Sequence, residues 1–526
     1  MADNIPGLNL TEQQYKDQLR AYLNKNAAYK PYDHQIEGVY ELLKNPYLLL
    51  TDEMGLGKTK QVIDAAQCMF MQGGIDRVLI VCPGSIRSVW FDPELGEWAK
   101  HVWPDMSLQV AEFRNKIRIW RTNDDPDKLK VVVTNYEFLR NEEKLKKLGP
   151  VVGPRTMLVI DESSYVTNFK AQQTKAVRRI RKVCGRVVLL NGTPITEGLG
   201  QIYSQAYILN PNILGYKTPK QFDAAHRVKG GWMDKQTIKW VGVEQIQRKM
   251  APYVVRRLKE HCLDLPKKIP PVIITVQMGK DTWKMYKQMQ DEFIAWLQDN
   301  EASESTHAAV RAIRLQQITS GFLGGIKPQP FDENGEYIEQ ADRIAVDPTQ
   351  RIGYEKEKAA VAWMRDRISE NPDFKCVIWG RFTLEIQGLL EAFRTELPEV
   401  VTGRIAGGQK EEERNFAKRL LDPRTAPQGP AAVIGNPASG GMGLTLVAAS
   451  SMLYTSNYWR LITRLQSEDR IHRPGQVLPT NYFDMIAVGP NGEQTIDYRI
   501  IKRLRNKESI ATMTSAAWLS ELRIAS

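Results

Sequence analysis

Short runs of Val, Ile and Leu recur along the chain, separated by longer segments in which apolar positions are spaced as on one face of a helix. Tyr47–Leu50, Val78–Val81, Val131–Thr134, Met157–Ile160 and Val187–Leu190 are almost without polar residues. Strict alternation would mark strands with one face in water. Continuous hydrophobicity marks strands covered on both faces, as in a parallel sheet flanked by helices. The pattern resumes with Cys376–Trp379, Val433–Ile434, Met452–Tyr454 and Tyr482–Ile486. The expected fold class is α/β, with two open and mostly parallel sheets in succession.

The two sets of strands are separated near Arg256–Pro271, where a basic stretch meets Leu265-Pro266-Lys267-Lys268-Ile269-Pro270-Pro271. A chain of 526 residues exceeds what one core usually supports, so two domains of about 250 residues each are expected. The boundaries drawn are an N-terminal extension at 1–28, a first lobe at 29–265 and a second at 266–526. Polar stretches at Asp299–Thr306 and Lys327–Thr349 read as surface loops or a small excursion from the second lobe. There is no short-period repeat and no coiled-coil heptad pattern.

Composition places the chain among ordinary globular proteins, at 42% hydrophobic and 25% charged residues. Lys and Arg number 72 against 61 Asp and Glu, a formal net charge of +11. That excess favours a polyanionic partner without identifying one. Cys68, Cys82, Cys184, Cys262 and Cys376 are scattered, with no C-x-x-C pair, which argues against a zinc ribbon or a disulfide framework. Free thiols in a reducing compartment are expected. Met1–Arg20 lacks the basic start and apolar stretch of a signal peptide, and no apolar run is long enough to span a bilayer. The expected location is cytoplasmic or nuclear.

Three segments carry candidate chemistry. Gly55-Leu56-Gly57-Lys58-Thr59 follows a strand and precedes the helical-looking Lys60–Phe70. Small residues at such a turn let backbone N–H groups face phosphates, and the helix N-terminus favours their charge. Lys58 would reach the β- and γ-phosphates, and the Thr59 hydroxyl would ligate Mg²⁺. The usual first glycine of this loop is replaced by Asp52. The second segment is Asp161-Glu162, two carboxylates at the carboxyl end of a buried strand. They suit a metal-binding Asp and a water-orienting base, although a polar loop capping a helix would look the same locally. The third runs from Arg464 to Gln476. Arg470 and Arg473 are three apart and share a face on a helical turn, placed either to meet a phosphoryl group or to lie on a solvated charged helix.

In order and spacing, these blocks resemble the Swi/Snf-like ATPases of helicase superfamily two, over about Tyr29 to Lys507. Lys30-Pro31-Tyr32-Asp33-His34-Gln35 is similar to the family's adenine-reading block, with Gln35 as the base contact. Asp52-Glu53-Met54-Gly55-Leu56-Gly57-Lys58-Thr59 resembles the family's own phosphate loop, Asp52 included. Val81-Cys82-Pro83-Gly84-Ser85 and Thr134-Asn135-Tyr136-Glu137 are similar to first-lobe blocks that follow a nucleic-acid strand. Asp161-Glu162-Ser163-Ser164 stands where the family has Asp-Glu-Ala-His, a departure that touches the last residue's coupling role and not the two acids. Leu189 to Ile195 resembles a coupling block with Thr193. In the second half, Val377 to Phe382 (with Arg381), Ser439 to Leu446 (with Gly443) and Tyr458-Trp459 are similar to family blocks. So is Gln466 to Gln476, with Arg470 and Arg473 as arginine fingers.

The resemblance implies two tandem RecA-like lobes with ATP and Mg²⁺ in the cleft between them. It also implies a DNA-dependent ATPase that moves along duplex DNA without separating the strands. Lys58, Asp161, Glu162, Arg470 and Arg473 are then catalytic, Thr193 and Gln466 couple the lobes, and Ser85, Asn135, Tyr136, Arg381, Ser439 and Trp459 contact DNA through its phosphates. The expected substrate is forked or branched DNA, acted on by a monomer without large accessory domains. A strand-separating helicase and a remodeller that displaces proteins from DNA are the alternatives.

Overall fold

A computed structural model of the chain describes residues 11–94, 96–113, 125, 127–192, 199–230, 236–299, 305–324, 350–438 and 444–506. The chain divides into two compact units, with the break between Asp264 and Leu265.

The first unit is built on β1 (Tyr47–Leu50), β2 (Arg77–Cys82), β3 (Leu108–Glu112), β4 (Leu129–Asn135), β5 (Thr156–Ile160) and β6 (Arg186–Leu190). A hairpin of β7 (Arg227–Gly230) and β8 (Gln236–Trp240) stands apart, and β9 (Val254–Val255) closes one edge. The sheet order among the described residues is β3-β4-β2-β5-β6-β1-β9, and every pairing in it is parallel. All of β5 and nearly all of β2 and β4 are buried, which accounts for their unbroken apolar runs. One core gathers Leu79, Val81, Val132, Leu158, Ile160, Val187 and Leu189 under the helices Gln172–Arg181 and Gly200–Leu209. Helix Glu12–Asn26, capped by Thr11 and burying Leu19 and Leu23, packs on helix Asp33–Lys44, which packs in turn on Lys58–Met71.

The second unit contains β10 (Val272–Gln277), the short antiparallel pair β11 (Phe322–Leu323) and β12 (Gln350–Arg351), then β13 (Lys375–Trp379), β14 (Val401–Ile405), β15 (Ala431–Gly435), β16 (Ser451–Tyr454) and β17 (Asn481–Val488). Its sheet runs β10-β17-β16-β13-β15-β14, again parallel throughout. Successive residues serve opposite faces, as strand geometry requires. Cys376, Ile378, Ala432, Ile434 and Leu453 join one core, while Val377, Trp379, Val433, Met452 and Tyr454 join the other. The polar stretch 327–349 lies outside the described residues, as do 300–304, while Asp299 ends helix Lys280–Asp299 and Ser305 begins helix Ser305–Thr319. The cysteines are free thiols, buried except for the partly exposed Cys262. Among the described residues, no helix is long and apolar enough to cross a membrane.

The second unit also buries an ionic network. Arg464 spans Glu468 and Asp484 and lies with its guanidinium carbon 3.5 Å from the Tyr454 ring centroid. Lys268 approaches Glu468 at 2.6 Å from the other side. Burial alone would push the Glu468 carboxyl up, but Lys268 and Arg464 together bring it down to about 2. A depressed carboxyl stabilises the fold at pH values above its unfolded pKa and loses that contribution as pH falls through the folded one. Glu468→Gln should therefore cost on the order of 3 kcal/mol at neutral pH. The gap from the parent protein should close as pH falls from 4.5 to about 2. Denaturant titrations at stepped pH would show this, and a gap independent of pH would assign the loss to packing instead.

Candidate active site

The turn between β1 and helix Lys58–Met71 takes its shape from two glycines in the left-handed region, Gly55 at φ 90° and Gly57 at φ 75°. Gly57 must also lack a side chain for reasons of space, since a Cβ there would lie 2.3 Å from Gln35 Nε2. The Leu56 carbonyl accepts from His34 Nε2 at 3.0 Å, Gln35 Nε2 at 3.3 Å and Gln61 Nε2 at 3.2 Å. Burial lowers the His34 pKa, which favours neutral imidazole. Because a carbonyl can only accept, its Nε2 carries the proton. Gln35 Oε1 accepts from Tyr32 N at 3.1 Å, so its amide ties the start of its own helix to the loop.

Asp52 is fully buried, and its Oδ2 accepts from Gln61 Nε2 at 3.0 Å and Arg257 Nη1 at 2.8 Å. That explains the acid in place of glycine: it anchors the loop's base. Glu53 accepts from Lys259 N at 2.8 Å, and Met54 packs where a Cβ on Gly192 would sit, 2.6 Å from its Cγ. Lys58 Nζ donates to the carbonyls of Asp52 at 2.5 Å and Glu53 at 3.3 Å, lying over the loop. No side chain caps the helix start, and a helix N-terminus favours an anion. With two left-handed glycines and an ammonium above them, the turn fits a phosphate chain.

The acidic pair stands at the end of β5. Asp161 Oδ2 accepts from Trp90 Nε1 at 2.8 Å, and Oδ1 from the Glu162 amide at 2.9 Å. Its carbonyl accepts from Tyr136 OH at 2.6 Å, and the Tyr136 ring stacks on Tyr165 at 5.2 Å. Burial raises the Asp161 pKa, while the Trp90 indole, the Glu162 amide and the charge of Lys58 pull against it. The influence of Lys58 places loop and acids in one electrostatic neighbourhood. Glu162 has φ 53° and ψ 60°, the one left-handed non-glycine among the described residues. Such a conformation costs about 1–3 kcal/mol and persists only where its surroundings enforce it. Ser163, where the resembling family has Ala, is buried and donates to Gln205 Oε1 at 2.8 Å, tying the turn to helix Gly200–Leu209. Thr59 is the second residue of its helix. No group of three or more His, Cys, Asp or Glu that could hold a metal occurs among the described residues. Mg²⁺ held by Thr59, Asp161, phosphate oxygens and water is compatible with that, since this ion takes few protein ligands beside a nucleotide.

In the second unit, helix Leu461–Glu468 ends before the arginine pair. Arg470 is 6% exposed, and its carbonyl accepts from Leu446 N at 3.0 Å. Arg473 donates to the carbonyls of Asp469 and Leu444 and to Thr445 Oγ1, each at 3.0 Å. With Arg464, Glu468 and Arg470 all buried, the segment is not a solvated charged helix. Gln466 is half-buried on the preceding helix. Thr193, Ser439 and Gly443 lie outside the described residues.

The expected DNA contacts divide by exposure. Ser85 sits in the short helical turn Gly84–Ile86 that follows β2. Asn135 caps Tyr136–Leu139 by accepting from Phe138 N at 3.1 Å. Trp459 is half-buried, with the Arg503 guanidinium 5.8 Å from its ring. The other two side chains are buried: Tyr136 is 0% exposed beneath the acidic pair, and Arg381, 2% exposed, donates to Gln316 Oε1 at 2.5 Å with its guanidinium 5.1 Å from the Tyr458 ring. The basic run at 178–182 is partly engaged within the first unit, with Arg179 exposed. Arg178 lies 3.7 Å from the Phe169 ring centroid, Arg179 pairs with Glu142, and Arg181 caps the carbonyls of Ile208 and Leu209. Trp90, Gln61 and Arg257 were not singled out from sequence, because their roles depend on neighbours distant along the chain.

A parallel sheet carrying a left-handed glycine turn before one helix and an acidic pair two strands away defines an α/β protein of the phosphate-loop type. The chain belongs to the SNF2-related domain family, whose model matches residues 34–320, a little over half of it. An uncharacterized ATP-dependent helicase of Mycoplasma genitalium is 23% identical over 473 residues, covering 89% of this chain and 40% of that protein. The TATA-binding protein-associated factor mot1 of Schizosaccharomyces pombe is 25% identical over 517 residues, 87% of this chain and 25% of that one. A mouse SWI/SNF-related regulator of chromatin, subfamily A member 1, is 24% identical over 490 residues, 90% and 42% respectively. The chain thus spans well under half the length of these relatives. Among solved structures, a Sulfolobus solfataricus SWI2/SNF2 ATPase core in complex with dsDNA is 21% identical, with a TM-score of 0.41 and coverage of 94% and 96%.

The Glu162 backbone yields a direct test. Glycine removes the Cβ penalty of the left-handed region, so Glu162→Gly should be more stable than Glu162→Ala by about 1 kcal/mol. Equal unfolding free energies for the two would mean that the turn relaxes and holds no strain.

Proposed function

We propose that the chain is a DNA-dependent ATPase that uses Mg²⁺-ATP to move along duplex DNA, with lobes at 29–265 and 266–526. The observation that carries this reading is the strained Glu162 beside Asp161, a carboxylate within the electrostatic reach of Lys58 on a left-handed glycine loop. Membership of the SNF2-related family supports it, as does the net charge of +11.

Loop amides from Gly55 to Thr59 bind the phosphates, and Lys58 offsets their charge. Thr59 and Asp161 would hold Mg²⁺ on the protein side, where its charge would offset the negative charge developing on the phosphate. Glu162 orients the attacking water and accepts its proton. Gln35 reads the base, and Asp52, Glu53, Met54 and Leu56 belong to the loop that binds the nucleotide. Arg470 and Arg473 come from the second unit, with Gly443 beside the nucleotide and Thr193 and Gln466 coupling the two halves. Hydrolysis then requires the units to close, and closure shifts one DNA-gripping surface against the other. Ser85, Asn135, Ser439 and Trp459 are the proposed phosphate-side contacts, none of which reads bases. The preferred substrate is forked or branched duplex, and the site of action cytoplasm or nucleus. Triplex displacement without strand displacement supports translocation; the reverse result makes the protein a strand-separating helicase.

Lys58→Ala and Glu162→Gln should both abolish DNA-stimulated hydrolysis, with Glu162→Gln retaining nucleotide binding. Near-normal turnover by Glu162→Gln would remove the acidic pair from the chemistry. Arginine's planar fork suits phosphoryl oxygens better than lysine's point charge. Arg470→Lys and Arg473→Lys should therefore each slow hydrolysis by about 10³ or more, with far smaller effects on ATP affinity. DNA affinity should fall steeply with salt and differ little between unrelated duplexes. A shallow salt slope with strong sequence discrimination would replace phosphate contacts with base readout.

A further inference from the structure

We propose that Arg257 is a positioning residue for nucleotide turnover, holding the base of the phosphate loop through Asp52 and tying that loop to the segment that leads into the second unit. The proposal rests on the loop being a nucleotide site, and it assigns a function to a residue outside every block considered so far. The segment from Val254 to Lys259 lies along β1 and the start of the loop. Thr51 N donates to the Val255 carbonyl at 2.7 Å and Glu53 N to the Arg257 carbonyl at 2.9 Å, so the strand pairing continues past β9 into the loop. Arg256 Nη1 donates to the carbonyls of Thr51 at 3.0 Å and Gly192 at 3.3 Å. Lys259 N closes the run on Glu53 Oε2.

The Arg257 guanidinium supplies the charge at this junction. It is the cation paired with Asp52, and its Nη1 also reaches Gln61 Oε1 at 3.4 Å. Gln61 passes the constraint on, since its Nε2 donates both to Asp52 Oδ2 and to the Leu56 carbonyl. Lys58 Nζ is held on the carbonyl of the same Asp52. Among the described residues, Asp52 Oδ1 has no hydrogen-bond partner. Compensation of that buried carboxylate therefore falls on Oδ2 and its two donors. The cluster is close-packed, because a Cβ on Gly38 would lie 1.7 Å from Gln61 Oε1 and 3.2 Å from Arg257 Nη1. Seven residues separate Arg257 from Leu265, where the second unit begins. A pull on this connection acts on Arg257 and, through Asp52, on the loop that carries Lys58.

The test compares the full chain with Arg257→Gln, Arg257→Lys, Asp52→Asn and the Asp52→Asn/Arg257→Gln double variant. It reads ADP affinity by calorimetry, kcat and KM for ATP with duplex DNA, and the thermal midpoint. Arg257→Gln should weaken ADP binding and lower kcat by about tenfold each, because a loop displaced by a fraction of an ångström misplaces its phosphate contacts. Arg257→Lys should recover part of both losses. The double variant should be no worse than the worse single variant, since the two residues act as one unit. A lowered thermal midpoint with ADP affinity and kcat within about twofold of the parent would reduce Arg257 to a structural contact. If Arg257→Gln does not fold, Asp52→Asn carries the same expectation and the same refutation. A parent protein that binds no ADP would instead overturn the nucleotide reading beneath the proposal.

Discussion

One backbone carbonyl, that of Leu56, organises the first unit's site. Three side chains from two helices, His34, Gln35 and Gln61, converge on it as donors. A carbonyl has two lone-pair directions, so three donors at 3.0–3.3 Å share them and hold the oxygen from both sides. With the oxygen fixed, the peptide that follows is fixed, and Gly57 is left in a conformation that residues with a Cβ rarely enter. The start of helix Lys58–Met71 is aimed by this turn, so the direction of its uncapped N–H groups follows from the Leu56 contacts. His34 can donate from Nε2 in either protonation state, and burial lowers its pKa, which favours the neutral one.

The second unit uses charge where the first uses backbone geometry. Arg464, Glu468, Asp484 and Lys268 form one network. Lys356 and Asp497 pair elsewhere, with Lys356 Nζ also on the Thr455 carbonyl. Glu385 accepts from Thr455 and Ser456 hydroxyls and from the Arg381 amide. Burial raises the Glu385 pKa, and these donors with Lys356 oppose the rise. Buried pairs of this kind contribute little net stability, and removing one partner is far costlier than never having had the pair. Their effect is to fix loop positions after β13 and β16. Arg381 belongs to this framework: its amide meets Glu385, its guanidinium meets Gln316, and Asn436 donates to its carbonyl.

Central strands were legible in the sequence, and edges mostly were not. The strands β1, β2, β4, β5, β6, β13, β15, β16 and β17 coincide with apolar runs because helices cover both faces of each. The four edges, β3, β9, β10 and β14, are harder to see. Residues of β3 are all half-buried, β9 has two residues, and β14 reads Val-Thr-Gly-Arg-Ile. Only β10 carries a real apolar run, obscured by the prolines before it. The phosphate loop and the acids were legible because strand, turn and helix are neighbours in sequence. The supports under them were not. Trp90 meets Asp161 across 71 residues and Arg257 meets Asp52 across 205, and nothing local to either partner announces the other. Tyr136 shows the same limit in reverse. Its block was recognisable, yet only burial reveals that the ring lies under Asp161 instead of on the surface.

These internal constraints bear on where motion can occur under the proposed function. Lys58, Asp161 and Glu162 share one unit and are linked to it through Asp52, Trp90 and Tyr136, by bonds of 2.5–2.8 Å. Arg470 and Arg473 share the other and are fixed to Leu446, Leu444 and Thr445. Neither set can shift far within its own sheet without breaking these hydrogen bonds, each worth about 0.5–1.5 kcal/mol. Each set is therefore held as part of its own unit, and any motion that the proposed function needs falls on whole units instead of on a local rearrangement of either set.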